Sequence, residues 1–388
     1  MKEIKFVDLF SGIGGFHQAL STFGGKCVLA SDIDESAIKV YMENYGVNSD
    51  IDVRNIKCDE IPDHDVLCAG FPCQTFSKAG NRAGFLDQTR GTLFFEIVRI
   101  LEAKHPKYIM LENVRNLVTH DEGNTYKVIR DTLKKLGYRL TKDPLILSPH
   151  QFGVPQVRER IYIPGVYDPE NVDEPLNINF DSLMEKSDNS IYSILDPNEN
   201  DPLCTLTNHT IDVLNAWDEF YRGIDIKVIG FPVWYEYFKT TSIDSSFPGW
   251  KQEFVRKNQE LYKRNKKFID KWEKKWDYLV DFTPTERKFE WQCGANINSV
   301  WEGVIQIRPS GVRVKKPDIF QALVALVQTP IIGRYRRKLS IREAARLQSF
   351  PDSFVPDSNR MQAYKQFGNS VNVKVLQTIF EKLFSEGK

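Results

Sequence analysis

Residues 4–15 read Ile4-Lys5-Phe6-Val7-Asp8-Leu9-Phe10-Ser11-Gly12-Ile13-Gly14-Gly15, and twenty positions beyond Gly12 stands Asp32. A mostly apolar run that ends in a glycine cluster predicts a buried strand feeding the start of a helix. Glycines at that point let a ligand come close to the backbone. Their spacing is not the G-x-G-x-x-G of dinucleotide sites. Asp32 falls at the end of the next predicted strand, where a carboxylate can accept both hydroxyls of a ribose. Strand, loop and acid together suit a ligand with a nucleoside but no pyrophosphate. A tight turn and a surface acid would produce the same letters.

Outward from this stretch, predicted strands and helices alternate. Strands are expected at 4–9, 26–31, 65–70 and 108–112, and helices at 15–23, 35–45, 92–103 and 126–136. The alternation predicts an α/β domain whose mostly parallel, doubly wound sheet is covered on both faces. Ligands in such sheets sit beyond the carboxyl ends of the strands. After Pro164 the rhythm stops. Residues 166–208 are acidic and rich in Asn and Pro, 210–280 are aromatic and helical, and 289–338 read as short strands and turns. Ser340 followed by Glu343 is a capping box that opens a further helix. The expected organisation is a first domain over 1–165, a smaller second domain over 166–338 with a helical insert at about 210–280, and a segment, 339–388, returning to the first.

The composition excludes several classes. Hydrophobic residues make up 41% and aromatics 12%, too many for a disordered chain. No apolar run approaches the ~18 residues of a membrane span, and six scattered cysteines form no disulfide framework. A reducing, cytoplasmic location without a membrane partner is the expectation. Formal net charge is zero, yet residues 166–203 carry a net of −9 and residues 251–338 a net of +10. The second stretch is either a solvated surface or a face for nucleic acid.

Two more motifs fall at predicted strand ends, and a third precedes the predicted strand Ile161-Tyr162-Ile163. Gly70-Phe71-Pro72-Cys73-Gln74 puts Cys73 after a proline, ahead of the polar loop Ser77–Arg90. A cysteine so placed can be a nucleophile, whereas Cys27 and Cys68 sit inside strands as small hydrophobes. A metal site from Cys58, His64, Cys68 and Cys73 lacks the spacing of zinc ligands. Leu111-Glu112-Asn113-Val114 offers a carboxyl whose proton affinity burial would raise, or simply a helix-start acid. Gln156-Val157-Arg158-Glu159-Arg160 places two arginines on one face of an extended segment, for an anion, a carbonyl oxygen or a structural ion pair.

Taken together, FVDLFSGIGGF (6–16), GFPCQTFS (70–77), LENVRNL (111–117), QVRERIYI (156–163), REAARLQSFPD (342–352) and QFGNSV (366–371) resemble the DNA cytosine-5 methyltransferases of bacterial restriction–modification systems. The resemblance implies the Rossmann-like fold of methyltransferases that use S-adenosylmethionine. It places Phe10, Gly12, Ile13 and Gly15 in the cofactor loop, Asp32 on the ribose, and Ile33, Asp52 and Val53 about the adenine. Leu93, Asn369 and Ser370 complete the cofactor contacts. Cys73 matches the nucleophile, flanked by Pro72 and Gln74. Glu112, with Asn113 beside it, matches the acid over the base, and Arg158 and Arg160 the paired arginines.

The implied reaction is methylation of C5 in a cytosine flipped out of a specific short duplex site, through an adduct of Cys73 with C6. Where the family often has a tryptophan stacked on adenine this chain has Ile33, so aliphatic packing is expected. Ala322-Leu323 departs from a family Thr-containing pair, and no role is carried over to it. The second domain is expected to recognise double-stranded DNA, with Lys263-Arg264 and Lys266-Lys267 extending the contact. The expected assembly is a monomer with no metal. A restriction endonuclease acting on the same site would be a counterpart without a stable complex. The alternatives are a tRNA cytosine-5 methyltransferase and an inactive DNA-binding accessory protein. The first would carry Pro-Pro-Cys and Cys-Phe-Thr, and this chain has Phe71-Pro72-Cys73 and no Cys-Phe-Thr.

Overall fold

The computed structural model describes residues 3–72, 93–180, 190–226, 229–323 and 329–386. The chain divides into two compact units. Met1–Asn189, Gln321–Ala325 and Ala344–Lys388 form the first, and Ser190–Phe320 with Leu326–Glu343 the second.

In the first unit, β1 (Lys5–Leu9), α1 (Gly15–Ser21), β2 (Lys26–Ser31), α2 (Glu35–Tyr45), β3 (Val66–Gly70), α3 (Leu93–Lys104), β4 (Tyr108–Val114) and α4 (Asn124–Lys135) follow the predicted alternation. Then come β5 (Tyr138–Leu140), β6 (Leu145–Leu147) and β7 (Arg160–Tyr167). The sheet order is β2-β1-β3-β4-β7-β5, with β6 also on β7. The first four strands are parallel. Beyond β4 the pairing turns antiparallel, which the βα alternation did not reveal.

From Phe6 to Leu9 the side chains of β1 are all buried, because both faces of the strand are covered. Val7 and Leu9 join Leu67, Phe94, Ile97, Ile129 and Leu133 in a core against α3 and α4. Phe6 and Asp8 face the other way, against His17 of α1 and Tyr41 of α2. Helix α2 is bounded sharply. Asp34 accepts from the Ser36 and Ala37 N–H groups at its start, and Gly46 turns left-handed at its end.

Register matters most at one edge of the sheet. Leu9 lies level with Ser31 and with Ala69, and Gly70 with Glu112. An antiparallel strand brings its amino end to the edge where parallel strands bring their carboxyl ends. Arg160, the first residue of β7, is therefore opposite Val114 at that edge.

The second unit packs helices α5 (Asn208–Gly223), α6 (Gly249–Arg264) and α7 (Lys266–Lys275) against a six-stranded sheet. Trp217 of α5 stacks on Phe289 with ring centres 5.0 Å apart, and Tyr221 on Trp291 at 3.6 Å. Trp272 of α7 donates its indole N–H to the Ala216 carbonyl at 2.8 Å. The residues expected as an insert thus share one core with the strands. On the outer face of α6 and α7, Arg264 pairs with Asp225 and Lys266 with Asp270. Lys263, Lys267, Lys271 and Lys274 are exposed and form no ion pair among the described residues. The last three recur at helical spacing on one face of α7. No described helix is long and apolar enough to cross a membrane.

The capping box predicted at Ser340 is present. Ser340 N–H donates to Glu343 at 2.9 Å, and Glu343 N–H donates back to the Ser340 hydroxyl at 3.2 Å. Glu343 also takes a bidentate pair from Arg337, at 2.6 and 2.8 Å, in a fully buried position. Removing one partner of such a pair strands the other charge. Glu343→Ala is therefore expected to destabilise the second unit by about 3–5 kcal/mol. All seven tryptophans lie in that unit, so denaturant unfolding followed by tryptophan emission reports on it directly.

Candidate active site

Every described residue of the predicted site borders one cavity of about 850 Å³ in the first unit, beyond the carboxyl ends of β1 to β4. Two segments far apart in sequence meet there, residues 10–160 and residues 366–371. Cys73, Gln74 and the loop Ser77–Arg90 lie outside the described residues.

At one end the wall is the loop after β1. Phe10 takes a left-handed backbone conformation, φ 55°, and so does Gly12, φ 53°. For Phe10 this stores strain of roughly 1–3 kcal/mol beside the cavity. Its ring is held by packing on the core under β1. Asp32 ties the loop down, with one carboxylate oxygen accepting the Gly12 N–H at 2.7 Å. The other oxygen accepts Ile33 N–H at 2.7 Å and Asp34 N–H at 2.9 Å. A carboxylate has about four acceptor positions, so room remains for one more donor. Ile33 is 71% exposed at the cavity mouth. Val53 is buried in the wall, while the Asp52 carboxylate is engaged by Arg54, which holds its pKa below the usual value. Sequence reasoning did not single out Arg54.

Gly15 is a point of close approach. A Cβ there would lie 2.4 Å from Val371 Cγ2, so the first turn of α1 and the C-terminal segment can touch only through glycine. Asn369 ends the helix Arg360–Asn369, and Ser370 follows it at the cavity edge. Leu93, the first residue of α3, closes another side. Gln366, given no role from sequence, donates to Ser36 Oγ and Asp357 Oδ2 at 3.2 and 3.1 Å. It thereby fixes the helix that carries Asn369.

At the other end stands Glu112, buried at the end of β4. Burial raises its pKa, and the guanidiniums of Arg160 and Arg158 oppose that rise. Arg160 Nε lies 3.3 Å from Glu112 Oε1. Arg158 is buried as well, and desolvation with the like charge of Arg160 brings its pKa down to about 10 despite Glu112. It donates to the Ser370 carbonyl at 2.7 Å, and its backbone N–H donates to Ser148 Oγ at 2.8 Å. Its Nε is buried with no hydrogen-bond partner among the described residues. Glu159, on the opposite side as alternation predicts, pairs with Arg115. Asn113 donates to the Phe71 carbonyl at 2.7 Å, which anchors the chain just ahead of Pro72. Ser148 lies in no motif, and Gln366, though it opens the QFGNSV motif, was given no role from sequence.

Among the described residues no group of three or more His, Cys, Asp or Glu side chains could hold a metal ion. Cys68 is buried within β3, and His64 bonds the Pro62 carbonyl through Nδ1.

The arrangement is a cleft with a loop and an acid at one end and a buried acid between two arginines at the other. Known proteins share the chain from end to end. The sequence profile of the C-5 cytosine-specific DNA methylases matches residues 4–385. Type II methyltransferase M.AluI of Cellulosimicrobium cellulans is 33% identical, across 98% of this chain and 92% of its own. Type II methyltransferase M.HpaII of Haemophilus parainfluenzae is 35% identical, across 99% of this chain and 90% of its own. The solved structure of the S. pombe Dnmt2 methyltransferase shares the fold, with a TM-score of 0.56 and 21% identity over 99% of both chains. With the match spanning both the glycine loop and the C-terminal segment that meets it, the chain belongs to the C-5 cytosine-specific DNA methylase family.

Proposed function

We propose that the cavity binds S-adenosylmethionine at the Asp32 end and a flipped cytosine at the Glu112 end, and that Cys73 is the nucleophile. The observation that carries this reading is Glu112, a buried carboxyl paired with Arg160 and within the field of Arg158, bordering the same cavity as Pro72. The residues fit the cofactor. A cavity of about 850 Å³ is within the ~300–1,000 Å³ of ligand pockets. Asp32 keeps an acceptor position for a ribose hydroxyl, and Val53 and Ile33 offer aliphatic surface to a purine. When bound, S-adenosylmethionine supplies an electrophilic sulfonium methyl to C5.

Cytosine C5 is too weak a nucleophile until the ring is activated. Addition of the Cys73 thiolate at C6 converts the ring to an enamine with electron density at C5. Glu112, whose proton affinity burial raises, donates in its protonated form to N3 and neutralises the charge that develops there. The unpartnered Arg158 Nε is available to the O2 oxygen, where charge also gathers. Loss of the C5 proton to a base then expels the Cys73 sulfur and leaves 5-methylcytosine. None of this fits inside a stacked duplex, so the base must leave the helix. We assign target recognition to the second unit, host protection to the biological role, and a monomer to the working form.

Bisulfite sequencing of DNA from a methylation-free host expressing the chain is expected to show protected cytosines within one short motif. Cys73→Ser should lose that protection while binding labelled S-adenosylmethionine. Methylation retained by this variant would remove the covalent mechanism.

Glu112→Gln is expected to lower kcat by about 10²–10⁴-fold. Protonated Glu112 is the active form, so wild-type activity should decline as pH rises through its elevated pKa. The amide cannot ionise, so the variant's profile should lack that decline.

Replacing Lys263, Lys267, Lys271 and Lys274 with Gln is expected to weaken the salt dependence of DNA binding by up to roughly 3–4 units of slope. An unchanged slope would make the stripe a solvated face.

A further inference from the structure

We propose that Tyr45, which does not border the cavity, is a positioning residue for cofactor binding. Its hydroxyl holds the Ile13–Gly14 backbone in the left-handed turn between two residues of the cavity wall, Ile13 and Gly15. This rests on reading the Asp32 end as the S-adenosylmethionine site.

Three observations converge on Tyr45. Ile13 and Gly15 border the cavity, whereas Gly14 between them does not. Gly14 faces Tyr45 instead, and a Cβ on it would lie 2.2 Å from the Tyr45 ring. The turn is left-handed at this residue, φ 83° and ψ 40°, which also favours glycine. Gly14 and Tyr45 are thus a matched pair, and the ring lies where only a bare backbone allows it. The Tyr45 hydroxyl then donates to the Gly14 carbonyl at 3.0 Å, with the Ile13 carbonyl at 3.4 Å. Gly14 is the N-cap of α1, so one hydroxyl restrains both the loop and the start of the helix behind it.

The ring itself is held from behind. His17 of α1 stacks on it with centroids 3.9 Å apart and planes 13° from parallel. Burial keeps His17 neutral, with a pKa near 4, so no charge disturbs the stack at neutral pH. His17 Nδ1 is 2.8 Å from the Tyr41 hydroxyl, which reaches Asp8 of β1 at 3.3 Å. Strand β1 and helices α1 and α2 are therefore linked beneath the loop, and Tyr45 is the member that touches it. Fixing the loop before binding spares the ordering cost that a free turn would meet on closing over a ligand.

The test is Tyr45→Phe, which keeps the ring and the stack and removes one hydroxyl. Labelled S-adenosylmethionine binding without DNA is expected to weaken by roughly threefold to tenfold, the size of one hydrogen bond. KM for the cofactor should rise by the same factor, with kcat at saturation and KM for DNA unchanged. Tyr41→Phe serves as the comparison. It removes a buried hydroxyl of the same cluster that does not reach the loop. It should lower the melting temperature more and cofactor affinity less. Equal affinity of Tyr45→Phe and wild type would overturn the proposal, as would equal losses in the two variants. A wild-type chain that failed to bind the cofactor would overturn the reading of the cavity, and this inference with it.

Discussion

A carboxyl that has to sit at a buried strand edge without a free choice of charge is the constraint around which the site is arranged. Glu112 is placed there by the sheet itself, level with Gly70 on β3 and Tyr162 on β7. Burial favours the neutral acid, and two guanidiniums favour the anion. On the proposed mechanism, neither influence alone would suit proton donation to a ring nitrogen. An isolated surface carboxyl would be ionised, and one buried without cations would hold its proton too tightly to share it. The antiparallel direction of β7 supplies the balance, because it turns Arg160 toward the same edge. A parallel β7 would have put its carboxyl end there instead, and Arg158 and Arg160 at the far side of the sheet.

Arg158 shows how the C-terminal segment is tied to this chemistry. A buried guanidinium needs acceptors, and it finds one in the Ser370 carbonyl, more than two hundred residues away in sequence. Its remaining Nε has none among the described residues. The same segment presses Val371 against Gly15, so the glycine loop after β1 and Arg158 share a neighbour. Asn113 adds a second tie, holding the Phe71 carbonyl ahead of Pro72. These contacts are short and buried, and each fixes backbone rather than a mobile side chain. Preorganisation of that kind is what electrostatic stabilisation of a developing charge requires.

Much of this was legible in the sequence, and the reasons differ from residue to residue. The run from Ile4 to Leu9 and the glycines after it announced a strand and a close approach, because few other residues suit both. Glu112 was legible as an acid at a strand end. Its two cationic neighbours were legible as a pair, since alternation separates them from Glu159. The direction of β7 was not, because strand periodicity is the same in both directions. The capture of Asp52 by Arg54 and of Asp32 by three backbone N–H groups was equally hidden. Arg54 and Asp34 lie two residues along a turn and Gly12 twenty residues away across the sheet, and composition encodes neither geometry. Tyr45 and Ser148 were invisible for another reason. A tyrosine on an amphipathic helix and a serine before a short turn carry no pattern until the partner backbone is in place.

The second unit makes a related point about charge. A chain with equal numbers of acids and bases shows no overall excess, and the net of +10 over 251–338 says only that one segment is basic. What counts is which cations remain after internal pairing. Arg264 and Lys266 look, as letters, no different from Lys263 and Lys267. The fold gives the first two to Asp225 and Asp270 and leaves the others exposed. Exposed pairs of this kind contribute little to stability, typically under about 1 kcal/mol, so their effect is mainly to remove charge from the surface field. Pairing thus leaves Lys267, Lys271 and Lys274 as an exposed row along one face of α7. A stripe, unlike a diffuse excess, can follow a line of phosphates.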